Sequence, residues 1–274
     1  MSIVGERVSQ AYPTELLSNL TLRELRSKYK RSVLGWTWSI ANPLMTIAVY
    51  TVVFATFIDI PPPVGDPSGM HIYGFFLVCG LLPWTLLAQG LTGAVSSLTA
   101  NEGLIKKVYF PRSVLTTATV LSWLASHLIE VGVLLVALLL FGNMVLPWAV
   151  PLLLVTLLLS GFILGLGLLL APANVYFRDI EHFTGIFLNL WFWLTPIIYP
   201  ASLLEHRQVG GIELTTLLEL NPMFHFVEAY RSLLYDLAWP SLTTWLAMVA
   251  AAGMAVVVGA LAFRRLEPRL AEEL

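Results

Sequence analysis

Apolar residues run along this chain in six blocks separated by short polar segments. A bilayer core about 30 Å thick takes roughly 20 apolar residues to cross as a helix, because backbone polar groups must be paired within the segment. The blocks cover 34–60, 72–98, 114–141, 146–170, 183–199 and 241–263. The fifth is the shortest and carries Pro196 near its end, so it is expected to break there. Beyond it, segment 200–239 is amphipathic rather than continuously apolar. The pattern predicts an all-α integral membrane protein: six transmembrane helices in 34–263, a polar segment 1–33 before them and a tail 264–274 after.

Charge placement orients these spans. Thirteen of the 15 Lys and Arg residues fall in 1–33, in 101–112, at Arg178 and after residue 263, all on one side of a six-span topology. Only Arg207 and Arg231 fall on the other. By the excess of basic residues on cytoplasmic loops, both termini are expected in the cytoplasm of a multi-pass protein of the plasma or inner membrane. Residues 1–12, with Glu6 and Arg7, lack the apolar core of a signal peptide, so insertion is expected to rely on the internal spans.

Three polar segments carry local signals. Thr21-Leu-Arg-Glu24 has the form of a capping box and predicts a helix start. Leu22, Leu25, Tyr29 and Val33 then recur at helical spacing beside Arg23, Arg26 and Lys30, which predicts either a basic amphipathic helix along the headgroups or a simple positive-inside anchor. Segment 101–112 is short, mixed in charge and reads as a helical turn between spans. On the other side, 215–220 and 224–237 read as two short helices separated by Asn221-Pro222, since the residue before proline disfavours helix.

Composition narrows the chemistry. The chain is 57% hydrophobic and 12% charged, with a formal charge of -2, against roughly a quarter charged residues in a soluble domain. No basic field points to nucleic acid. The lone Cys79 allows no disulfide or thiolate cluster, and the five histidines are scattered. There is no phosphate-binding glycine loop, dinucleotide fingerprint or zinc-protease motif. Neither a metal nor a cofactor is expected on this chain, and any work done with ATP belongs to another.

Within the spans, His127 and Glu130 stand i, i+3 and are expected on one face, as a proton relay or gate, or as a plain polar contact between helices. Gly161 and Gly165 form a GxxxG step suited to close helix packing. Most tryptophans fall near span ends, where they anchor at the interface. Tyr50, Phe54 and Phe57 recur at i, i+4, i+7, a stripe that either packs against a neighbour or lines a pathway, since aromatic faces suit the apolar faces of sugar rings.

Five stretches in order carry a resemblance across the whole chain: Tyr29-Lys-Arg-Ser-Val-Leu-Gly-Trp-Thr-Trp38 with Asn42-Pro43; Asn101-Glu-Gly-Leu-Ile-Lys-Lys-Val-Tyr-Phe-Pro-Arg112; Tyr176-Phe-Arg-Asp-Ile180; Thr195-Pro-Ile-Ile-Tyr199; and Asn221-Pro222 with Tyr230-Arg231. The chain resembles the permease subunits of type-2 ABC exporters of O-antigen, teichoic acid and related cell-envelope polysaccharides. The resemblance implies a homodimer joined to two copies of a separate ATP-binding subunit, which holds ATP and Mg, with a lipid-linked glycan as substrate. It implies an amphipathic interface helix and re-entrant outer helices within 200–239. Arg23, Arg26, Lys30, Glu102, Lys106, Lys107 and Arg112, with Arg178, Asp179 and Glu181, would then contact the ATPase. Trp36 and Trp38 would stand at the cytoplasmic entrance of a pathway continued by Tyr50, Phe54 and Phe57. Lys30 or Arg31 would attract the lipid pyrophosphate or anchor in lipid headgroups.

Three other readings compete. An exporter of a drug or small amphiphile shares the topology. A membrane-embedded enzyme on lipid-linked sugar would use Glu130 and His127 as acid and base, but such a site needs more converging polar groups. An ion-coupled transporter would show inverted repeats, and none is evident.

Overall fold

A computed structural model of the protein describes residues 3–29, 37–53, 63–108, 110–201, 208–209 and 212–273. In chain order these form α1 (Ile3–Tyr29), α2 (Trp38–Val52), α3 (Tyr73–Ser96), the single turn α4 (Glu102–Ile105), α5 (Ser113–Leu140), α6 (Ala149–Tyr176) and α7 (Asp179–Trp193). A two-residue antiparallel pair follows, β1 (Gln208–Val209) with β2 (Ile212–Glu213). Then come α8 (Leu214–Glu219), α9 (Pro222–Arg231), α10 (Leu242–Leu266) and α11 (Leu270–Glu273).

Among the described residues, four helices are long and apolar enough to cross a bilayer: α3, α5, α6 with its leading turn from Leu146, and α10. The described part of α2 and the whole of α7 have 15 residues each, a rise of about 22 Å. Among the described residues, four of the six expected spans are thus met by helices of full length.

Helix α3 is the axis of the bundle. Leu77, Cys79, Leu87, Ala94 and Val95 are fully buried, and α2, α5, α6 and α9 pack around it. The longest seam joins α6 to α10. There a Cβ on Gly165 would lie 2.2 Å from the Ala255 carbonyl carbon, and one on Gly259 would lie 2.0 Å from the Gly165 oxygen. Glycines let the two backbones meet. Gly161 faces open space, so Gly165 closes the seam with Gly259 of the neighbouring helix rather than with Gly161 of its own. At the far end of α5, Gly142 takes φ +88°, the left-handed conformation that commonly ends a helix.

The amino-terminal segment departs from the local pattern. Thr21 is no N-cap: α1 begins at Ile3 and runs through it, and the Thr21 hydroxyl donates back to the Leu17 carbonyl at 2.7 Å. The face that packs is Leu16, Leu17 and Leu20, against Leu98, Ile105 and Leu115, while Leu22 is exposed. A helix already under way has no free N–H for the threonine to receive, so tertiary packing overrides the capping signal.

Candidate functional site

Three places in this bundle hold polar groups with work to do. The first is the end at which α1, the 97–112 segment, the α6–α7 turn and the α10 terminus meet. Arg23 of α1 donates to Asn101 Oδ1 at 2.5 Å and to Glu24 Oε1 at 2.8 Å, which ties α1 to the turn after α3. Lys106 and Glu102 pair at 2.6 Å, one turn apart, and that hydrogen bond holds the Glu102 carboxyl below its usual range, with Arg178 adding a smaller pull. Arg112 turns inward: its backbone N–H donates to Glu267 Oε1 at 3.2 Å and its guanidinium to the Glu267 carbonyl. The start of α5 is thereby clamped to the end of α10. Glu181 receives its cap from Asn174, whose Oδ1 accepts the Glu181 N–H at 3.1 Å. Arg26, Lys107, Arg178, Asp179 and the Glu181 side chain face outward.

The second place is a cleft of about 200 Å³ between α2, α3 and α5, lined by Asn42, Thr46, Tyr50, Thr85, Gln89 and Glu130 among apolar neighbours. Asn42, Thr46 and Tyr50 stand four residues apart on α2 and share one face, as Thr85 and Gln89 do on α3. Beside it, the Lys28 ammonium lies 3.3 Å from the centre of the Trp123 ring and 3.4 Å from Ser126 Oγ. The last turn of α1 therefore lies alongside the middle of α5, a cation on an aromatic face.

The third place is the hairpin of α8 and α9, folded back into the bundle. Pro196 follows the end of α7, and carbonyls left free there need partners. Arg231, 3% exposed, supplies them: its guanidinium donates to the Pro196 carbonyl at 2.7 Å and the Ile197 carbonyl at 2.6 Å. It also pairs with Glu228 at 3.3 Å and lies over the Phe76 ring. Asn221 makes a second stitch. Its Oδ1 caps α9 by accepting the Met223 N–H at 3.0 Å and accepts the Trp191 indole N–H at 2.7 Å, while its amide donates to Thr195 Oγ1 at 2.9 Å. Pro222 sits in the first turn of α9, where a missing N–H costs nothing.

His127 and Glu130 part company. At roughly 100° per residue, a three-residue step leaves them about 60° apart, enough to face different neighbours. Glu130 lines the α2–α3–α5 cleft. His127 is buried, with Nε2 2.8 Å from the Tyr230 hydroxyl, which is 2.6 Å from Thr156 Oγ1; Thr156 also bonds the Leu152 carbonyl at 2.9 Å. With the threonine proton on Leu152, Tyr230 donates to Thr156 and His127 donates to Tyr230, one directed chain across α5, α9 and α6.

Of the expected pathway residues, Tyr50 borders the polar cleft and Trp38 is exposed at the start of α2. Trp36, Phe54 and Phe57 lie outside the described residues, as does Lys30 on the basic stripe. Trp84 is a core residue rather than an interface anchor, and the partly buried Trp191 packs against it, ring centres 6.1 Å apart at 90°. Sequence reasoning missed Asn174 and Glu267 at the basic end and Gln89 in the cleft, and it quoted Asn42 and Asn101 only as part of motifs, without a role. The signals available were those motifs and a glutamine inside an apolar block. No group of three or more metal-binding side chains occurs among the described residues.

Long apolar helices, a clamped basic end and a hairpin folded into the opposite end describe a membrane permease. The chain belongs to the ABC-2 type transporter family, which matches residues 15–235. It is 31% identical over 236 residues to the O-antigen export system permease protein RfbA of Myxococcus xanthus, covering 86% of each chain. It is 29% identical over 225 residues to a protein of the same name from Klebsiella pneumoniae, covering 81% of each. Against the polysialic acid transport protein KpsM of Escherichia coli the identity is 24% over 224 residues, 77% of this chain and 78% of the relative.

Proposed function

We propose that this chain is the membrane-spanning subunit of an ATP-driven exporter that moves lipid-linked polysaccharide across the plasma or inner membrane, as a homodimer with two copies of a separate ATP-binding subunit. The observation that carries this reading is its similarity over 86% of its length to an O-antigen export permease. The ATP-binding partner holds ATP and Mg and performs the hydrolysis; the permease contributes the path.

The basic end is the cytoplasmic end, and both termini lie there. Arg26, Lys107, Arg178, Asp179 and Glu181 are exposed and offer charges that fix the register of a docked ATPase. Arg23, Glu102 and Lys106 present charge beside them, while Arg23 also ties α1 to Asn101 and Arg112 ties the start of α5 to Glu267. The polar cleft beside Tyr50 and the exposed Trp38 lie on the path of the glycan, with Trp36, Phe54 and Phe57 continuing it. Many weak contacts of this kind let a long chain slide, where one tight site would stall it. The exposed apolar faces of α2 (Ile40, Leu44, Val49) and α7 (Ile186, Leu190, Trp193) suit the interface between two copies.

The test is to purify the chain with its ATP-binding subunit, reconstitute the complex and measure whether lipid-linked glycan raises the ATPase rate. Lys107→Glu with Arg178→Glu should abolish that stimulation while leaving the isolated permease folded. If no ATP-binding chain associates, the reading fails.

A further inference from the structure

The cleft between α2, α3 and α5 holds about 200 Å³, room for a single sugar ring. Of the side chains lining it, Asn42 and Gln89 are exposed and Thr46, Thr85 and Glu130 are partly so, all within reach of a ligand. The amides of Asn42 and Gln89 and the carboxyl of Glu130 form no hydrogen bond among the described residues. An ionisable group within a span is costly, and it marks a pathway more often than a contact. Three unpaired polar groups turned on one cleft call for a polar ligand, held against the apolar wall of Leu81 and Leu82.

The lining also says what kind of ligand. The Thr46 hydroxyl donates to the Asn42 carbonyl at 2.8 Å, and the Thr85 hydroxyl donates to the Leu82 carbonyl at 2.9 Å. Each threonine has thereby used its one hydrogen and offers the cleft a lone pair. An ionised Glu130 only accepts, while the two amides both donate and accept, so acceptors outnumber donors. Among the described residues no Lys, Arg or His lines the cleft. Lys28 attracts Glu130 electrostatically, but its ammonium is engaged outside the cleft, on the Trp123 ring and beside Ser126 Oγ.

A sugar hydroxyl donates as well as accepts, and the apolar faces of the ring suit the leucine wall and the Tyr50 side chain. A sugar carboxylate only accepts. In this cleft it would meet no cation and would lie beside a second carboxyl, an arrangement that rejects a ligand more strongly than any contact here attracts one. We propose that the cleft reads the passing glycan ring by ring, admitting neutral hydroxyl-bearing sugars and rejecting acidic ones, with Glu130 as the specificity-determining residue. This rests on the reading of the chain as a glycan exporter and adds to it the class of sugar carried.

The experiment reconstitutes the full chain with its ATP-binding subunit and supplies two polyprenyl-diphosphate-linked oligosaccharides of equal length. One is built of neutral hexoses, and the other carries a hexuronic acid at alternate positions. ATPase stimulation and glycan delivered across the membrane are read for each. The wild-type complex should need at least about tenfold more of the acidic glycan for the same response, the effect of an unpaired charge beside a like one. Glu130→Gln, of the same shape, should bring the two within about threefold. Gln89→Glu, at an exposed position, should widen the ratio by lowering the acidic response further. Equal responses from the wild-type complex, or a ratio unmoved by both substitutions, overturn the assignment while leaving the exporter reading intact. If the wild-type complex responds to neither glycan, the exporter reading fails and this inference falls with it.

Discussion

The Arg231 guanidinium donates to the Ile197 carbonyl oxygen at 2.6 Å, so a buried charge on the folded-back hairpin completes the broken end of α7. The second nitrogen does the same for Pro196. Irregular backbone after α7 is thereby satisfied by a side chain of the hairpin, as backbone at membrane depth requires.

Arg231→Met leaves both carbonyls and Glu228 without their donor and should cost about 3 kcal/mol of stability, the usual effect of breaking a buried charge pair. Arg231→Lys should lie between, since an ammonium lacks the planar fork that reaches two carbonyls. Thermal unfolding in detergent reads both, and a methionine variant as stable as wild type would show that the carbonyls find other partners.

Asn221→Ala removes the cap of α9 and frees the Trp191 indole. A loss of about 1–2 kcal/mol is expected from the cap, with a red shift of tryptophan emission as water or a new partner meets the ring. Asn221→Asp should keep the cap and the indole bond while losing the amide donor to Thr195.

At the α6–α10 seam the two glycines of the GxxxG step should behave oppositely. Gly165→Ala puts a methyl against the Ala255 backbone and forces the helices apart, lowering the unfolding temperature. Gly161→Ala meets nothing and should be neutral or slightly stabilising, because alanine is the better helix former. Equal losses in the two variants would contradict the packing described.

The Glu102–Lys106 pair makes the α4 turn sensitive to pH. The folded carboxyl titrates below its ordinary value of 4.5. A depressed acid contributes fully above the unfolded value and loses its contribution as pH falls through the folded one. Amide exchange over 102–106 should therefore be faster in Lys106→Ala than in wild type at pH 7, and the difference should vanish once Glu102 is protonated.

The long apolar helices were legible because composition alone forces them: α3, α5, α6 and α10 coincide with blocks that have no other way to pair their backbone. Asn221-Pro222 was legible as a break for a local steric reason. Pairings remote in sequence left no local trace. Nothing around Arg23 announces Asn101, 78 positions on, and Arg112 reads as an exposed cation until Glu267 is brought to it. The capping box at Thr21 misled because a short-range pattern cannot register that Leu16, Leu17 and Leu20 already hold that stretch in a packed helix. Similarly, the spacing of His127 and Glu130 says nothing of what flanks each side of α5.

Helix α5 has no proline, unlike α2, α3 and α6. Its first turn is held by Glu267, and halfway along it His127 grips Tyr230 of the hairpin. Such an element behaves as a stiff lever with a load attached: a tilt imposed where Arg112 is anchored carries Tyr230, and with it the hairpin, in the same stroke. Opening at one face of the membrane would then follow events at the other without a relay of intermediate rearrangements.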